Sequence, residues 1–208
     1  MRYKFFQSKF AKASRFHWDF IDNVEQLDKW NKLSSVFNFY SKEPIKQNLD
    51  KELIPKIIHQ IWIGPKKYPK KYKKWAKTWQ RLNPSWEYKL WTEKEVRTLN
   101  LTSQKYLDKS TNIGFKSDVI RYEILKRFGG LYIDTDFECI RPIPKSFLKF
   151  NFVACTLFSN KPEIANGMIM TKIGSKLIDN ILKDINFEKE IKDPMDTIIE
   201  SGPLNVTK

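Results

Sequence analysis

The sequence predicts an α/β sandwich with a largely parallel sheet, preceded by an N-terminal helical arm. Three observations predict it. The run IIHQIWI at residues 57–63 is short, apolar and rich in β-branched residues, and Gly64-Pro65 closes it, which marks a buried strand. Tyr72, Trp75, Trp79 and Leu82 follow at helical spacing. FKSDVIRYEILKRF at residues 115–128 carries a second helical stripe, stops at Gly129-Gly130 and leads directly into the apolar strand LYID at 131–134. Strands alternating with helices build a parallel sheet with helices on its faces. In such sheets ligands gather beyond the carboxyl ends of the strands.

Taken in order, residues 1–50 form the arm and residues 51–208 the main domain. The first 43 residues are rich in Phe, Lys and Arg. Tyr3, Phe6, Phe10, Ala13, His17, Phe20, Val24 and Leu27 recur at helical spacing, and Arg2, Lys4, Lys9, Lys12 and Arg15 stand against Asp19. Two readings are open: a basic amphipathic helix lying on an anionic bilayer, or a helix packed on its own domain. Pro44 to Pro55 reads as a linker. After the first strand, the helix around Tyr72 and Trp79 shows Lys70, Lys71, Lys73, Lys74 and Lys77 on its other faces, and Asn83-Pro84 ends it. WEYKLW at 86–91 reads as a second strand. Thr92 with Glu95 forms a capping box that opens a short helix. Beyond 134, strands are expected at 152–158 and 166–171, and a helix at 175–185.

Composition excludes several classes. A chain of 208 residues suits one domain with a real core, and 41% hydrophobic with 14% aromatic content rules out a disordered chain. The two cysteines, Cys139 and Cys155, give no disulfide framework and point to free thiols in a reducing compartment. Two histidines, His17 and His59, offer no metal-ligand spacing with them. No apolar run reaches membrane-span length, and the charged start lacks the apolar centre of a secretory signal. The net charge of +14 implies an anionic partner, whether nucleic acid, an acidic membrane surface or phosphorylated small molecules, unless it serves solubility alone.

The chemistry concentrates at Asp134-Thr135-Asp136, directly after an apolar strand. A bend at a strand end lets both carboxylates approach one cation, and hard oxygen ligands suit Mn2+ or Mg2+, with phosphates completing the shell. Asp118 and Arg121 lie three apart on the preceding helix and so share a face. The carboxylate can accept from sugar hydroxyls, and the guanidinium can pair with phosphate or with Asp134. The plain alternative is a solvated i,i+3 ion pair. Trp62, at the end of the first strand, can offer a flat face to a nucleobase or serve as a core aromatic. His59 reads as a buried, satisfied imidazole rather than a ligand.

Three ordered blocks, IPKIIHQIW, NPSWEYKLW and KSDVIRYEILKRFGGLYIDTD, resemble the family 32 glycosyltransferases and their DXD sugar-binding region over residues 54–142. Asn166-Gly167 and Ser201-Gly202-Pro203 resemble later blocks. The resemblance implies a GT-A fold, a Rossmann-like α/β sandwich that binds a nucleotide-sugar and a divalent metal, so that residues 51–208 are the catalytic domain. It implies Asp134 and Asp136 at Mn2+ or Mg2+, Asp136, Asp134 and Arg121 as catalytic residues, and Trp62 beside the base. Gln60, Asp118, Arg121, Tyr122, Asp134 and Asn166 complete the implied substrate-binding set. The implied reaction moves a hexosyl group from a UDP- or GDP-sugar to a saccharide or lipid-linked saccharide, with retention, in capsule- or lipopolysaccharide-type assembly. Family members usually continue past the Gly-Pro block, which leaves one wall of the donor site to further chain or to a partner. With the lysines at 70–77 set against anionic headgroups, the expectation is a cytoplasmic enzyme peripheral at the inner membrane face. Three rivals stand: a nucleic-acid-binding module, for which no helix-turn-helix, zinc, RRM or KH signature is found; a metal phosphohydrolase, which would want more ligands for a second metal; and a non-catalytic sugar- or nucleotide-binding module of the same fold.

Overall fold

A computed structural model describes residues 51–156 and 164–207, together with Val24, Leu27, Asp28, Asn31, Lys32 and Ser35. Those six are helical, and Asp28 pairs with Lys32 one turn on, at 2.7 Å. The other arm residues, the linker before Lys51 and the last two residues of the strand expected at 152–158 lie outside the described residues.

The main unit, Lys51–Cys155 with Ala165–Lys208, begins with strand β1 (Ile57–Ile61) and helix α1 (Lys70–Leu82). Strand β2 (Glu87–Trp91), helices α2 (Glu93–Arg97), α3 (Gln104–Lys109) and α4 (Ile113–Phe128), and strand β3 (Gly130–Ile133) follow. A 3-10 turn at Lys145–Lys149, strands β4 (Phe152–Thr156) and β5 (Ile164–Thr171), and helices α5 (Lys176–Lys183), α6 (Pro194–Glu200) and α7 (Pro203–Thr207) complete it. The elements that the sequence predicts for this unit are present, to within a few residues at their ends. Helices α3, α6 and α7 add to them.

The sheet runs β2-β1-β3-β5-β4. β1 lies parallel to β2, with Ile57 opposite Glu87, and parallel to β3, with Ile58 opposite Leu131. β5 is antiparallel to β3, with Ile133 opposite Met168. The sheet is therefore mixed, which corrects the largely parallel expectation. A parallel return would need a crossover of a dozen or more residues, usually helical. Among the described residues between β3 and β5, only the 3-10 turn and β4 occur.

Alternation along β3 sorts the layers. Leu131 and Ile133 join Ile54, Ile58, Met170 and Trp79 in one apolar cluster, so α1 covers that face through Trp79. Tyr132 points to the other face, where the Arg121 guanidinium of α4 sits 4.3 Å from its ring centre. α4 is sealed: every residue from Asp118 to Leu125 is buried. The Asn112 side chain caps its start by accepting from the Phe115 N–H at 2.9 Å. At its other end Gly129 takes φ +62° and donates to the Leu125 carbonyl, and Gly130 takes φ +90°. A Cβ at Gly130 would stand 2.5 Å from the Ile57 carbonyl oxygen. The glycine pair thus turns the chain from α4 straight into β3 at van der Waals contact with β1, and it fixes where β3 begins.

Candidate active site

Asp134 is the first residue past β3. Its backbone N–H donates to the Gly167 carbonyl at 2.9 Å, and its own carbonyl accepts from Gln60 Nε2 at 3.1 Å. Phe137 N–H returns to the same carbonyl at 3.2 Å, which closes a turn over Asp134-Thr135-Asp136. That turn is the bend needed to bring both carboxylates to one mouth. They line a cavity of about 530 Å³ together with Trp62, Tyr72, Tyr132 and Thr135. The side chain of Asp134 is 34% exposed, whereas Asp136 is exposed.

The two carboxylates are held differently. Asp134 Oδ1 accepts from the Tyr132 hydroxyl at 2.7 Å and pairs with Arg121 Nη2 at 3.3 Å. Its Oδ2 lies over Gly167, where a Cβ would come within 2.5 Å of it. Only glycine allows β5 to approach this closely. Asp136 has no ion-pair partner among the described residues.

Behind Asp134 lies a closed polar network. Asp118 Oδ1 pairs with Arg121 Nη2 at 2.9 Å and accepts from Asn166 Nδ2 at 3.0 Å, and its Oδ2 accepts from the Ser201 hydroxyl at 2.9 Å. Arg121 Nη1 donates to the Asn166 carbonyl at 2.5 Å, and the Tyr122 hydroxyl donates to the Ser201 carbonyl at 2.6 Å. All five residues are buried. The Asp118–Arg121 pair is thus no solvated surface pair. Burial pushes the Asp118 carboxyl up to about 6, against the pull of Arg121 and the hydrogen bonds from Ser201 and Asn166. Burial works against the Arg121 charge too, but the Tyr132, Asp118 and Asp134 oxygens outweigh it and hold its pKa above the ordinary value. Burial raises the Tyr132 and Tyr122 phenols well out of the physiological range, so both stay protonated donors.

Gln60 and Tyr122 offer no surface at all. Gln60 accepts from the Tyr88 hydroxyl and donates to the Asp134 backbone, so it pins the turn from beneath. Trp62 forms a wall of the cavity. Its Nε1 donates to the Lys66 carbonyl at 2.8 Å, and Tyr72 meets its ring edge-on at 5.8 Å between centres. His59 is fully buried. Its Nδ1 accepts from Trp91 Nε1 at 3.1 Å, so Nε2 carries the proton given to the Gly129 carbonyl at 2.9 Å. Burial lowers its pKa to about 4, and the imidazole is neutral.

Sequence reasoning missed two members of the site. Tyr132 was legible in principle, since it sits two residues before Asp134 on an extended chain and so shares its side. Ser201 reaches Asp118 from 83 positions away; it stood out only as part of a later block, with no partner named.

The donor set fits a cation completed by phosphate. Asp118, Asp134 and Asp136 carry three negative charges when ionised, and the network holds one cation, Arg121. The surplus falls at Asp134 and Asp136, at the cavity mouth, where hard oxygens and the free side of Asp134 meet solvent. Among the described residues no group of three or more His, Cys, Asp or Glu could enclose a metal unaided.

Comparison with known proteins bears on this geometry. Residues 69–153 match the family described as "Glycosyltransferase sugar-binding region containing DXD motif", whose span includes α4, β3 and the Asp134-Thr135-Asp136 turn. An uncharacterized glycosyltransferase of Acanthamoeba polyphaga mimivirus is 31% identical over 140 residues, 64% of this chain and 56% of that protein. Inositol phosphoceramide mannosyltransferase 3 of Schizosaccharomyces pombe is 38% identical over 95 residues, 43% of this chain and 26% of its own length. Mannosyl phosphorylinositol ceramide synthase CSH1 of Saccharomyces cerevisiae is 35% identical over 123 residues, 56% of this chain and 30% of its own. The chain thus spans about half of the viral relative and a third or less of the fungal ones. A solved structure titled "PaToxG Glycosyltransferase" superposes with a TM-score of 0.59 at 18% identity, over 89% of this chain and 78% of that one. That likeness concerns the fold, and the GT-A architecture expected from the sequence is the one observed. Both cysteines are free thiols, and no helix among the described residues is long and apolar enough to cross a membrane.

Proposed function

We propose that this protein is a retaining glycosyltransferase that moves a hexosyl group from a UDP- or GDP-sugar to a lipid-linked saccharide or glycolipid hydroxyl. One observation carries the reading: two carboxylates at the end of a central strand face the mouth of a cavity of about 530 Å³ that has Trp62 on its wall. The fungal relatives, named for mannosyl transfer to inositol phosphoceramide, support a mannosyl donor and a lipid acceptor.

In this reading Trp62 lies against the base, with Tyr72 at its edge keeping the ring upright. Asp134 and Asp136 would hold Mn2+ or Mg2+, which supplies positive charge to the diphosphate leaving group when bound. Asp134 is tied at Oδ1 by Tyr132 and Arg121, and its Oδ2 lies against Gly167. Arg121 is a positioning residue: it is sealed beneath Asp134 and sets the carboxylate rather than meeting the phosphate. Asp118, Asn166, Tyr122 and Gln60 act the same way, through one another and through the Asp134 backbone. A same-face transfer asks for no protein nucleophile, because the leaving phosphate oxygen takes the proton of the attacking acceptor hydroxyl as the new glycosidic bond forms. The test is nucleotide release from a panel of UDP- and GDP-sugars, with Mn2+, Mg2+ or EDTA. Metal-dependent release from one donor is expected, and release that EDTA leaves untouched would contradict the reading.

A further inference from the structure

The outer face of α1 has no role in the site just described. Lys70, Lys74, Lys77 and Arg81 stand at i, i+4, i+7 and i+11 and form one exposed stripe about 16 Å long. Lys71 and Lys73 flank it, also exposed. No acidic residue occurs anywhere between Glu52 and Glu87. Among the described residues none of the six is in an ion pair, and Lys71 instead lies over the Trp75 ring at 4.3 Å.

This arrangement works against the helix that bears it. Like charges one turn apart repel. Lys70, Lys71 and Lys73 sit in the first turn, at the positive end of the peptide dipoles, with no acid there and no side-chain cap from Pro69. An anionic surface laid against the stripe reverses the sign of both effects.

We propose that this face of α1 docks the protein on an anionic lipid bilayer. Three features favour a bilayer over a nucleic acid. The stripe lies along a single helix and is exposed along its length. Five of the six cations are lysines, point charges suited to a diffuse headgroup layer rather than to paired recognition of bases or single phosphates. Trp75 and Tyr72, stacked at 5.5 Å, stand half-buried beside the charged face, as amphipathic rings do at headgroup depth. The purpose, holding the cavity near a lipid-linked acceptor, rests on the proposed function; the docking itself does not.

The experiment is sedimentation of the full chain with phosphatidylcholine vesicles, with and without phosphatidylserine, in the absence of donor. Wild type is expected to bind the anionic vesicles only. The Lys70→Gln, Lys74→Gln, Lys77→Gln, Arg81→Gln variant is expected to bind about a thousandfold more weakly, with a melting temperature no lower than that of wild type. A Lys9→Gln, Lys12→Gln, Arg15→Gln variant separates the arm from α1. Equal binding by wild type and the α1 variant overturns the proposal, as does a loss that follows the arm alone, or a wild type that ignores anionic vesicles and binds mixed RNA at physiological salt. Nucleotide release is measured separately, so an inactive donor site leaves the docking result unchanged.

Discussion

Asp134 and Asp136 are two residues apart, yet they belong to different regions. Asp134 is the upper surface of a buried floor in which Asp118, Arg121, Asn166, Ser201 and Tyr122 bond to one another out of water, with Arg121 Nε left without a hydrogen-bond partner among the described residues. Asp136 belongs to an open rim, exposed beside the cavity. The floor is built to hold a geometry, and the rim is left able to take a ligand. Substitutions in the floor should therefore cost stability first and activity as a consequence, whereas substitutions on the rim should cost activity alone.

The sharpest way to break this contrast is Arg121→Met. It leaves Asp118 and Asp134 facing each other with no cation, and breaking a buried pair in this way costs about 3–5 kcal/mol. Urea unfolding should show that loss, and a variant as stable as wild type would mean that the buried network does not hold the fold together. Gly167→Ala comes next. Its Cβ would meet Asp134 Oδ2 at 2.5 Å, so the carboxylate must move while the core stays filled. Nucleotide release should fall by roughly 10²-fold, in line with a displacement of about 1 Å at a reacting site, with a far smaller change in melting temperature.

His59 sharpens the contrast from below the floor. Its folded pKa, about 4, lies beneath its unfolded value of 6.5. The unfolded chain therefore takes up the proton first. The stability that His59 contributes is full above pH 6.5 and drains as the pH falls toward 4. Asp118, raised to about 6 from 3.8, has the opposite sense: its contribution is full below pH 3.8 and is lost as the pH rises through 6. Because the two oppose, the readout is the difference between wild type and His59→Gln, measured by urea unfolding at about pH 7 and about pH 4.5. That difference should shrink at the acid pH by about 2 kcal/mol. The smallest expected effect is that of Asp136→Asn on stability, within about 0.5 kcal/mol, as befits an exposed side chain.

The rim was more legible in the sequence than the floor. A carboxylate pair after an apolar strand, and an aromatic at the end of another, are local patterns. So are the Gly129-Gly130 stop and the Thr92–Glu95 capping box, whose Glu95 carboxylate accepts from the Thr92 N–H at 3.0 Å. The floor is assembled from distant parts. The spacing of Asp118 and Arg121 announces a pair, but no local rule says that Asn166 and Ser201 will seal it from 48 and 83 residues away. The antiparallel seat of β5 was hidden for the same reason, since a strand's direction depends on what connects it rather than on its own residues.

The most direct test is calorimetric titration of UDP and GDP, with and without Mn2+, into wild type and Asp136→Asn. Metal-dependent binding of one nucleotide by wild type is expected, and its loss in a variant whose unfolding curve overlays the wild-type curve. Equal metal-dependent binding by the folded variant would contradict the division into floor and rim, and would move the cation away from the rim.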